Sequence, residues 1–508
     1  MLKHFAIVGS VLILSKLTAF ITEIVLAYRL GAGAEADAFN TLFTLHYLLY
    51  PLISIGIWKV FLPQYVSLKT VEGTRAADAY ANKLITVFFF IALAFSFFLY
   101  FGSNAIVSAI VPGFDESRHD MAVVLVQLAS PQYVFVIVAA IFSVMLQAHK
   151  QFFGSQIREI ATYVPLLLVL AFFYQDLGVN SLAIAILVGS ICRFLIQLPF
   201  INWDYKFRPD FDWINQETRF FLKALPLVML VCAVDQINQL VTKVYASHLE
   251  LGAISVLTYA TRLNNAFGTL LGVTIGTVLF PRISEVLSDG NQEVIHQYIR
   301  NVVLAFCFVL FPLTLFCQVY ASDLVSFVFF RGAFSVEAFH KTSTIFALLA
   351  FGMLATNLFV VLNNIFYAKK DLKTPLVLAT IMLLANFSLC HFLNPYFGLS
   401  GLAVANVVAA NVGLIALLFV LRDALFEAWR TLLIELFKIG LATFVTLWIT
   451  MVVVDITTVE DSFTRILIAG TMGAIFYLFL LYVLRFKALY FFKENLLSKM
   501  GRKNAKTH

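Results

Sequence analysis

Leu177–Phe200 (LGVNSLAIAILVGSICRFLIQLPF) and Phe397–Val420 (FGLSGLAVANVVAANVGLIALLFV) read as one apolar helix written twice, 220 residues apart. Gly178/Gly398, Leu182/Leu402, Ala183/Ala403, Ala185/Ala405, Val188/Val408 and Leu198/Leu418 are identical. Two further segments align at nearly the same spacing. Val60–Leu68 (VFLPQYVSL) lies over Val278–Val286 (VLFPRISEV), and Ala148-His149-Lys150 lies over Ala368-Lys369-Lys370. Apolar helices resemble one another by chance, so each match alone is weak. Three in order at one spacing point to a duplicated half. In a membrane protein, such a duplication places a site on the axis between the halves.

The chain is 61% hydrophobic and only 13% charged, against roughly 45–50% and about 25% for soluble domains. Apolar runs of about 20 residues, each long enough to span a bilayer as a helix, recur throughout. The expected class is therefore an all-α polytopic membrane protein, since helices satisfy their own backbone hydrogen bonds in hydrocarbon. A transmembrane barrel would show shorter, alternating segments. The run after Lys3 lacks an A-x-A-like cleavage site and reads as a retained first span. All five cysteines fall in apolar runs without a CxxC pair and read as small buried hydrophobes.

Fourteen spans are expected, at about 4–28, 38–66, 84–111, 121–148, 158–175, 179–201, 220–246, 253–281, 301–320, 342–367, 374–393, 398–421, 432–454 and 464–485. With the N-terminus inside, 24 lysines and arginines fall in inside loops and the tail, against 5 outside (Arg29, Arg118, Arg331, Lys341 and Arg465). This positive-inside bias predicts both termini in the cytoplasm. Spans 1–6 then map onto spans 7–12 in the same direction, a parallel repeat about the membrane normal. The expected organisation is an N-terminal lobe (1–201), a cytoplasmic linker (202–219), a C-terminal lobe (220–421), two further spans (422–490) and a basic tail (491–508). The net charge of +6 and the tail favour an anionic membrane surface over nucleic acid, because the basic residues ring the spans.

Six basic residues lie within spans: Lys16, Lys59, Arg193, Lys243, Arg262 and Lys438. Lys59 and Lys438 lie near span ends and are expected to snorkel, as Lys243 could. Lys16, Arg193 and Arg262 lie deeper, where a cation costs roughly 2.5–3.5 kcal/mol on insertion scales and usually faces a bundle interior or watery cavity. For Arg193 the alternative is a side chain reaching the cytoplasmic interface. Glu23 shares a helical face with Lys16, and Asp235 lies in span 7. Under the repeat, Lys16 answers Asp235 and Glu23 answers Lys243 with signs reversed. Spans 1 and 7 would then face each other across a central cavity; charge neutralisation that only aids packing is the rival reading. His46 and the asparagines Asn357, Asn363, Asn364 and Asn386 read as helix-bridging groups, and Pro51, Pro165 and Pro226 as kinks. No G-x-x-x-x-G-K-[ST], H-E-x-x-H, zinc spacing or nucleophile elbow occurs, and no soluble domain could hold an active site. The chain reads as a transporter, not an enzyme, without a cofactor.

Leu14–Phe20 (LSKLTAF), Leu30–Phe39 (LGAGAEADAF), Tyr259–Ser284 (YATRLNNAFGTLLGVTIGTVLFPRIS), Phe329–Phe334 (FFRGAF) and Phe366–Pro375 (FYAKKDLKTP) resemble the MurJ (MviN) lipid II flippases, within the multidrug/oligosaccharidyl-lipid/polysaccharide exporter superfamily. The resemblance covers essentially the whole chain. It implies two six-helix lobes about a V-shaped cavity, with a groove on the last two helices for a lipid tail. It implies flipping of an undecaprenyl-diphosphate-linked saccharide across the bacterial inner membrane by alternating access, for cell-wall glycan synthesis. Envelope-synthesis enzymes are then natural partners. Buried cations suit a diphosphate, so Lys16 and Arg262 lead the candidate set, with Glu23, Asp37, Asp235, Lys243 and Arg193. The sequence departs from the family where its first span carries two arginines: Lys16 and Thr22 stand there. In the middle of span 2, normally arginine-rich, stand Tyr50, Pro51 and Ile55. An O-antigen or capsule-unit flippase fits this thinner charge as well. A cation-coupled drug antiporter, with Na⁺ or H⁺ on Asp37, Glu23 or Asp235, is a further alternative.

Overall fold

The computed structural model describes residues 2–201, 203–211, 216–268, 291–369, 371, 373–426, 429–457 and 459–486. These residues are helical or loop, with no strand among them. The helices are α1 (Leu2–Leu30), α2 (Ala34–Val71), α3 (Thr74–Ile110), α4 (Glu116–Ala129), α5 (Gln132–Ala148), α6 (Phe152–Leu168), α7 (Asn180–Leu195) and α8 (Gln216–Ser247). Then follow α9 (253–268), α10 (Gln292–Val319), α11 (Ala321–Phe329), α12 (Val336–Ala350), α13 (Met353–Ala368), α14 (Lys373–Val420), α15 (Arg422–Phe426), α16 (Trp429–Ile456) and α17 (Ser462–Val483).

Nine helices among the described residues are long and apolar enough to cross a membrane. The number rises to eleven if two bent pairs, Glu116–Ala129 with Gln132–Ala148 and Val336–Ala350 with Met353–Tyr367, each count as one span. The expectation of fourteen exceeds this for identifiable reasons. α14 merges two expected spans across a kink at Gly398 (φ 51°, ψ −130°). Expected span 8 runs beyond residue 268 and so leaves the described residues. α8 forms where span 7 was expected but carries Arg219, Lys223, Asp235 and Lys243. Gly178, the repeat mate of Gly398, also has a left-handed φ of 67°. Both glycines open the duplicated helix, where a side chain would oppose that backbone.

The chain divides into two compact units, Met1–Val256 with Arg331–Ala338, and Leu257–Phe330 with Phe339–His508. In the first unit, α2, α3, α5 and α8 enclose a core that includes Phe61, Tyr65, Leu84, Phe88, Met145 and Phe221. α1 packs on α6, and α6 on α7. In the second unit, α10 packs on α13 and α16 around Val302, Phe306, Leu310, Leu362, Ile439 and Leu481. Outward-facing rings stay bare, among them Phe101 at 78%, Phe437 at 70% and Trp448 at 68% exposure. Apolar surface on this scale calls for hydrocarbon as its solvent.

Of the prolines expected to kink helices, Pro165 has a visible consequence. It lies in α6, which passes into a π-helical stretch, Val169–Phe173, before ending at Leu177. A π-turn displaces carbonyls from the helical ladder. Arg29, at the end of α1, covers two of them: Nε donates to Leu170 O at 2.9 Å and Nη2 to Ala171 O at 2.5 Å. α17 begins on Asp461, whose carboxylate accepts from the Thr464 amide at 2.9 Å and hydroxyl at 2.7 Å. These bonds hold its carboxyl below the usual range.

The polar linker is a strap along α3. Asp78, Asn82 and Thr86 recur every four residues and so share one face. Trp203 Nε1 donates to Asp78 Oδ2 at 3.2 Å, and Tyr205 Oη to Asn82 Oδ1 at 2.7 Å. Asn82 Nδ2 donates to Lys206 O at 3.2 Å, and the Asp210 amide to Thr86 Oγ1 at 3.2 Å. Tyr65 Oη fills the other Asp78 oxygen at 2.6 Å. His149 stands edge-on to Trp203, ring centroids 3.7 Å apart. Burial, with the Lys69 charge nearby, lowers His149 to about 4, so the fold favours the neutral ring. Its contribution is therefore present above the ordinary histidine value and is lost as pH falls toward 4. Asp78→Ala should free the strap and make residues 203–211 cleavable by limited proteolysis at neutral pH. The wild type should become cleavable there only on acidification below about pH 6. Resistance of Asp78→Ala equal to wild type would show that the strap is held otherwise.

Candidate functional site

α2 carries a buried polar stripe, Asp37, Asn40, Thr41 and Thr44, at helical spacing. Asp37 lies in its first turn with no exposed surface. Its Oδ2 accepts from the Gly252 amide at 2.8 Å, and its Oδ1 from the Ser255 amide at 2.9 Å and hydroxyl at 2.6 Å. Those donors belong to the start of α9. Asp37 therefore caps α9 from another helix, where free amides concentrate partial positive charge. Arg118 Nη1 lies 3.4 Å from Oδ2, and its Nε bonds Asp115. Below this node, Asn40 Nδ2 donates to Ser255 Oγ at 3.2 Å. Lys243 Nζ donates to Thr44 Oγ1 at 2.7 Å, while the Thr44 hydroxyl donates to the Asn40 carbonyl at 2.7 Å.

The close approach depends on a missing side chain. Gly252 has φ +85°, and a Cβ there would lie 2.3 Å from the Ala32 carbonyl oxygen. Gly31 repeats the arrangement at φ +59°, with the Ala333 oxygen at 2.3 Å, and the Ala333 amide donates to Tyr28 O at 2.8 Å. Both glycines sit in the same tripeptide, Leu30-Gly31-Ala32 and Leu251-Gly252-Ala253. The repeat thus recurs in the loops that close this end of the first unit.

A second cluster surrounds Arg193, which is 1% exposed. Its Nη2 lies 2.6 Å from Glu159 Oε1 and also bonds Tyr50 Oη. The guanidinium lies 4.2 Å from the centroid of the Tyr50 ring, and His46 stacks on that ring at 5.6 Å. The alternative of an Arg193 side chain reaching the cytoplasmic interface is therefore corrected: the carboxylate on α6 draws it into the protein. His46 also lies beside Tyr133 of α5, ring centroids 6.4 Å apart.

The remaining candidates are dispersed. Lys16 is exposed on α1, and its charge acts on Glu159. Glu23 is 6% exposed on the same helix. Asp235 lies on α8, but its side chain is outside the described residues. Arg262 is half-buried on α9, within the second unit, where neighbouring Tyr259 packs on Phe329. Lys438 Nζ pairs with Glu435 at 2.8 Å and donates to Arg485 O at 3.2 Å. Asn357 does not bridge helices through its amide nitrogen, which donates to Met353 O within α13.

Sequence reading did not single out Asn40, Thr44, Ser255, Glu159, Arg158 or Arg118 as site residues. The repeated Leu-Gly-Ala was the signal available for the closure. For Glu159, the signal was a lone acid next to an arginine at a span edge.

The sequence model of the lipid II flippase MurJ family matches residues 26–489. The chain belongs to the lipid II flippase MurJ family. Its relatives include a probable lipid II flippase MurJ from Buchnera aphidicola subsp. Baizongia pistaciae, 24% identical over 97% of this chain and 99% of the relative. Another, from Rhizobium meliloti, is 28% identical over 82% of this chain and 80% of the relative. Among solved structures, a lipid II flippase MurJ in an inward closed conformation superposes with TM-score 0.80 at 22% identity, covering 94% of this chain and 99% of that one. An inward-facing multidrug MATE transporter superposes with TM-score 0.63 at 13% identity, covering 82% and 96%. At these identities the structural likenesses establish the fold.

Asp37→Ala should strand three donors at the α9 start beside Arg118, at a cost of about 3–5 kcal/mol. The purified protein should lose thermal stability accordingly, and Asp37→Asn should fall between the two. An unchanged unfolding midpoint in Asp37→Ala would overturn the capping role.

Proposed function

We propose that this chain moves lipid II, an undecaprenyl-diphosphate-linked saccharide, from the inner to the outer leaflet of the bacterial inner membrane by alternating access. The observation that carries the reading is the family match over residues 26–489, joined to relatives of the same length. Its basic residues suit an anionic head group: Lys16 and Arg262 fall in expected spans, where each costs free energy. The positive-inside distribution supports cytoplasmic termini. Lys16, Thr22 and Tyr50 stand where the family resemblance leads one to expect arginines. That thinner charge favours, as a second reading, a related lipid-linked saccharide such as an O-antigen or capsule unit.

A coupling cation, Na⁺ or H⁺, is part of the proposal. Asp37, Glu23 and Asp235 are the candidate carboxylates for it, and Asp37 is engaged by α9 and Arg118.

Expression of the chain in cells depleted of their own lipid II flippase should restore growth. Lys16→Ala and Arg262→Ala should each abolish rescue, while Lys16→Arg, which keeps the charge and adds a fork of donors, should retain it. Rescue by both alanine variants, at normal membrane levels, would remove these cations from the head-group site. Failure of the wild type to rescue, with export of a surface polysaccharide unit instead, would move the assignment to the second reading.

A further inference from the structure

In the first unit, the helical run that continues α6 holds a carbonyl with two rival donors. Within Val169–Phe173 the ladder is in π register, and the Tyr174 amide reaches back five residues to Val169 O. By Gly178 the α register has returned, its amide donating to Tyr174 O four residues back. Where a helix passes from one register to the other, a carbonyl is left over. Leu170 O lies at this passage, and in an unbroken α-helix its partner would be the Tyr174 amide. Arg29 takes that place: Nε donates to Leu170 O at 2.9 Å and Nη2 to Ala171 O at 2.5 Å. Those nitrogens share one edge of the guanidinium, so it grips two successive carbonyls at once. Leu170 is fully buried, and a carbonyl left bare in a span is costly.

The turn that follows, Tyr174–Leu177, is tied to a second helix. Tyr174 Oη donates to the Glu35 carboxylate in the first turn of α2, while Arg29 belongs to the last turn of α1. Beyond the turn stands Gly178, with φ +67° and nothing within 4 Å of where a Cβ would be, so the backbone there is free to twist. Returning the π stretch to α register hands Leu170 O to the Tyr174 amide and no longer needs Arg29. It also rotates everything after it by one residue's turn, about 100°, which takes Tyr174 off Glu35. The Leu170 carbonyl is satisfied in either register. Such an element has two discrete positions and no stable intermediate between them.

We infer that Val169–Phe173 is a two-position switch, π while Arg29 is docked on it and α when Arg29 is withdrawn. Arg29 is its positioning residue, because it replaces the backbone donor that the α register would supply. Movement at the end of α1 is thereby converted into rotation of the Tyr174 turn and release of the start of α2. The use of this switch in transport rests on the alternating-access reading; the two registers themselves do not.

Two full-length variants separate a switch from a plain cap: Arg29→Ala, and deletion of Ala171. Without Ala171, Gln175 stands four residues after Leu170, so the helix is α throughout and the turn beyond keeps its facing. Each variant would be expressed in cells depleted of their own lipid II flippase, and hydrogen–deuterium exchange over residues 168–178 would be measured on the purified protein. Both variants should reach the membrane, exchange no faster than wild type over this segment, and fail to rescue, since each holds only the α position. Rescue at the wild-type level by either variant overturns the switch. Faster exchange in Arg29→Ala overturns it too, because a mere cap leaves the turn frayed when it is removed. Should the deletion variant be absent from the membrane, Arg29→Ala decides alone by the same two readouts. Where the wild type itself fails to rescue and Arg29→Ala exchanges at the wild-type rate, the flippase reading falls and the switch stands. Where the wild type rescues and Arg29→Ala exchanges faster, the switch falls and the flippase reading stands.

Discussion

A carboxylate with no exposed surface must be surrounded by donors, and Asp37 is the point at which this constraint shapes the first unit. Desolvating the charge costs several kcal/mol, and three hydrogen bonds and a nearby guanidinium offset it. All three donors come from four consecutive positions at the start of α9. The consequence is geometric. The first turn of α2 must lie against the α9 start, Gly252 must lack a side chain, and the loop carrying Ala32 must close over it. The stripe below, Asn40 and Thr44, extends the same contact to Ser255 and Lys243.

The two clusters of the first unit handle charge in opposite ways. Around Asp37, one carboxylate is over-supplied with donors. Around Glu159, one carboxylate is over-subscribed by cations, with Arg193 taking the short contact and Arg158 left at 3.3 Å without hydrogen-bond alignment. The first arrangement is self-sufficient and suits a closure. The second gathers more positive charge than its one carboxylate balances. Position along the chain does not distinguish them, since both use acids at span edges; the count of donors against acceptors does.

The membrane class, the helical fold and the duplication were legible from apolar run length, low charge and the 220-residue echo, because each depends on local or strictly periodic information. The span count was less legible. Whether Gly398 joins or separates two spans is a matter of a single left-handed residue, and hydropathy windows do not register it. The candidate cations were found because a charge within an apolar run stands out against its neighbours. Their partners were not, because Glu159, Tyr50, Ser255 and Thr44 look ordinary in sequence and acquire meaning only through contacts more than thirty residues away in the chain. Arg193 shows the limit well. Distance to a span end favours snorkelling as readily as burial, and only the carboxylate on the neighbouring helix decides between them.

That neighbour also bears on the missing arginines. Tyr50 occupies the stretch of α2 where the family resemblance leads one to expect arginine, yet the Tyr50 side chain is the partner of a guanidinium supplied by α7. A cation has thus reached this place from a different helix, with the tyrosine hydroxyl and ring face as its seat. Arg193 is anchored to Glu159 and Tyr50, so it is less free than a cavity arginine to follow a moving ligand. What it does instead is occupy Glu159, and Arg158 is left with the longer 3.3 Å contact to the same oxygen. The positive charge of the first unit is thus distributed over three helices: Arg193 on α7 is paired with Glu159, Lys16 lies open on α1, and Arg158 stands on α6 beside the same carboxylate. A comparison made column by column along α2 alone would register only the loss.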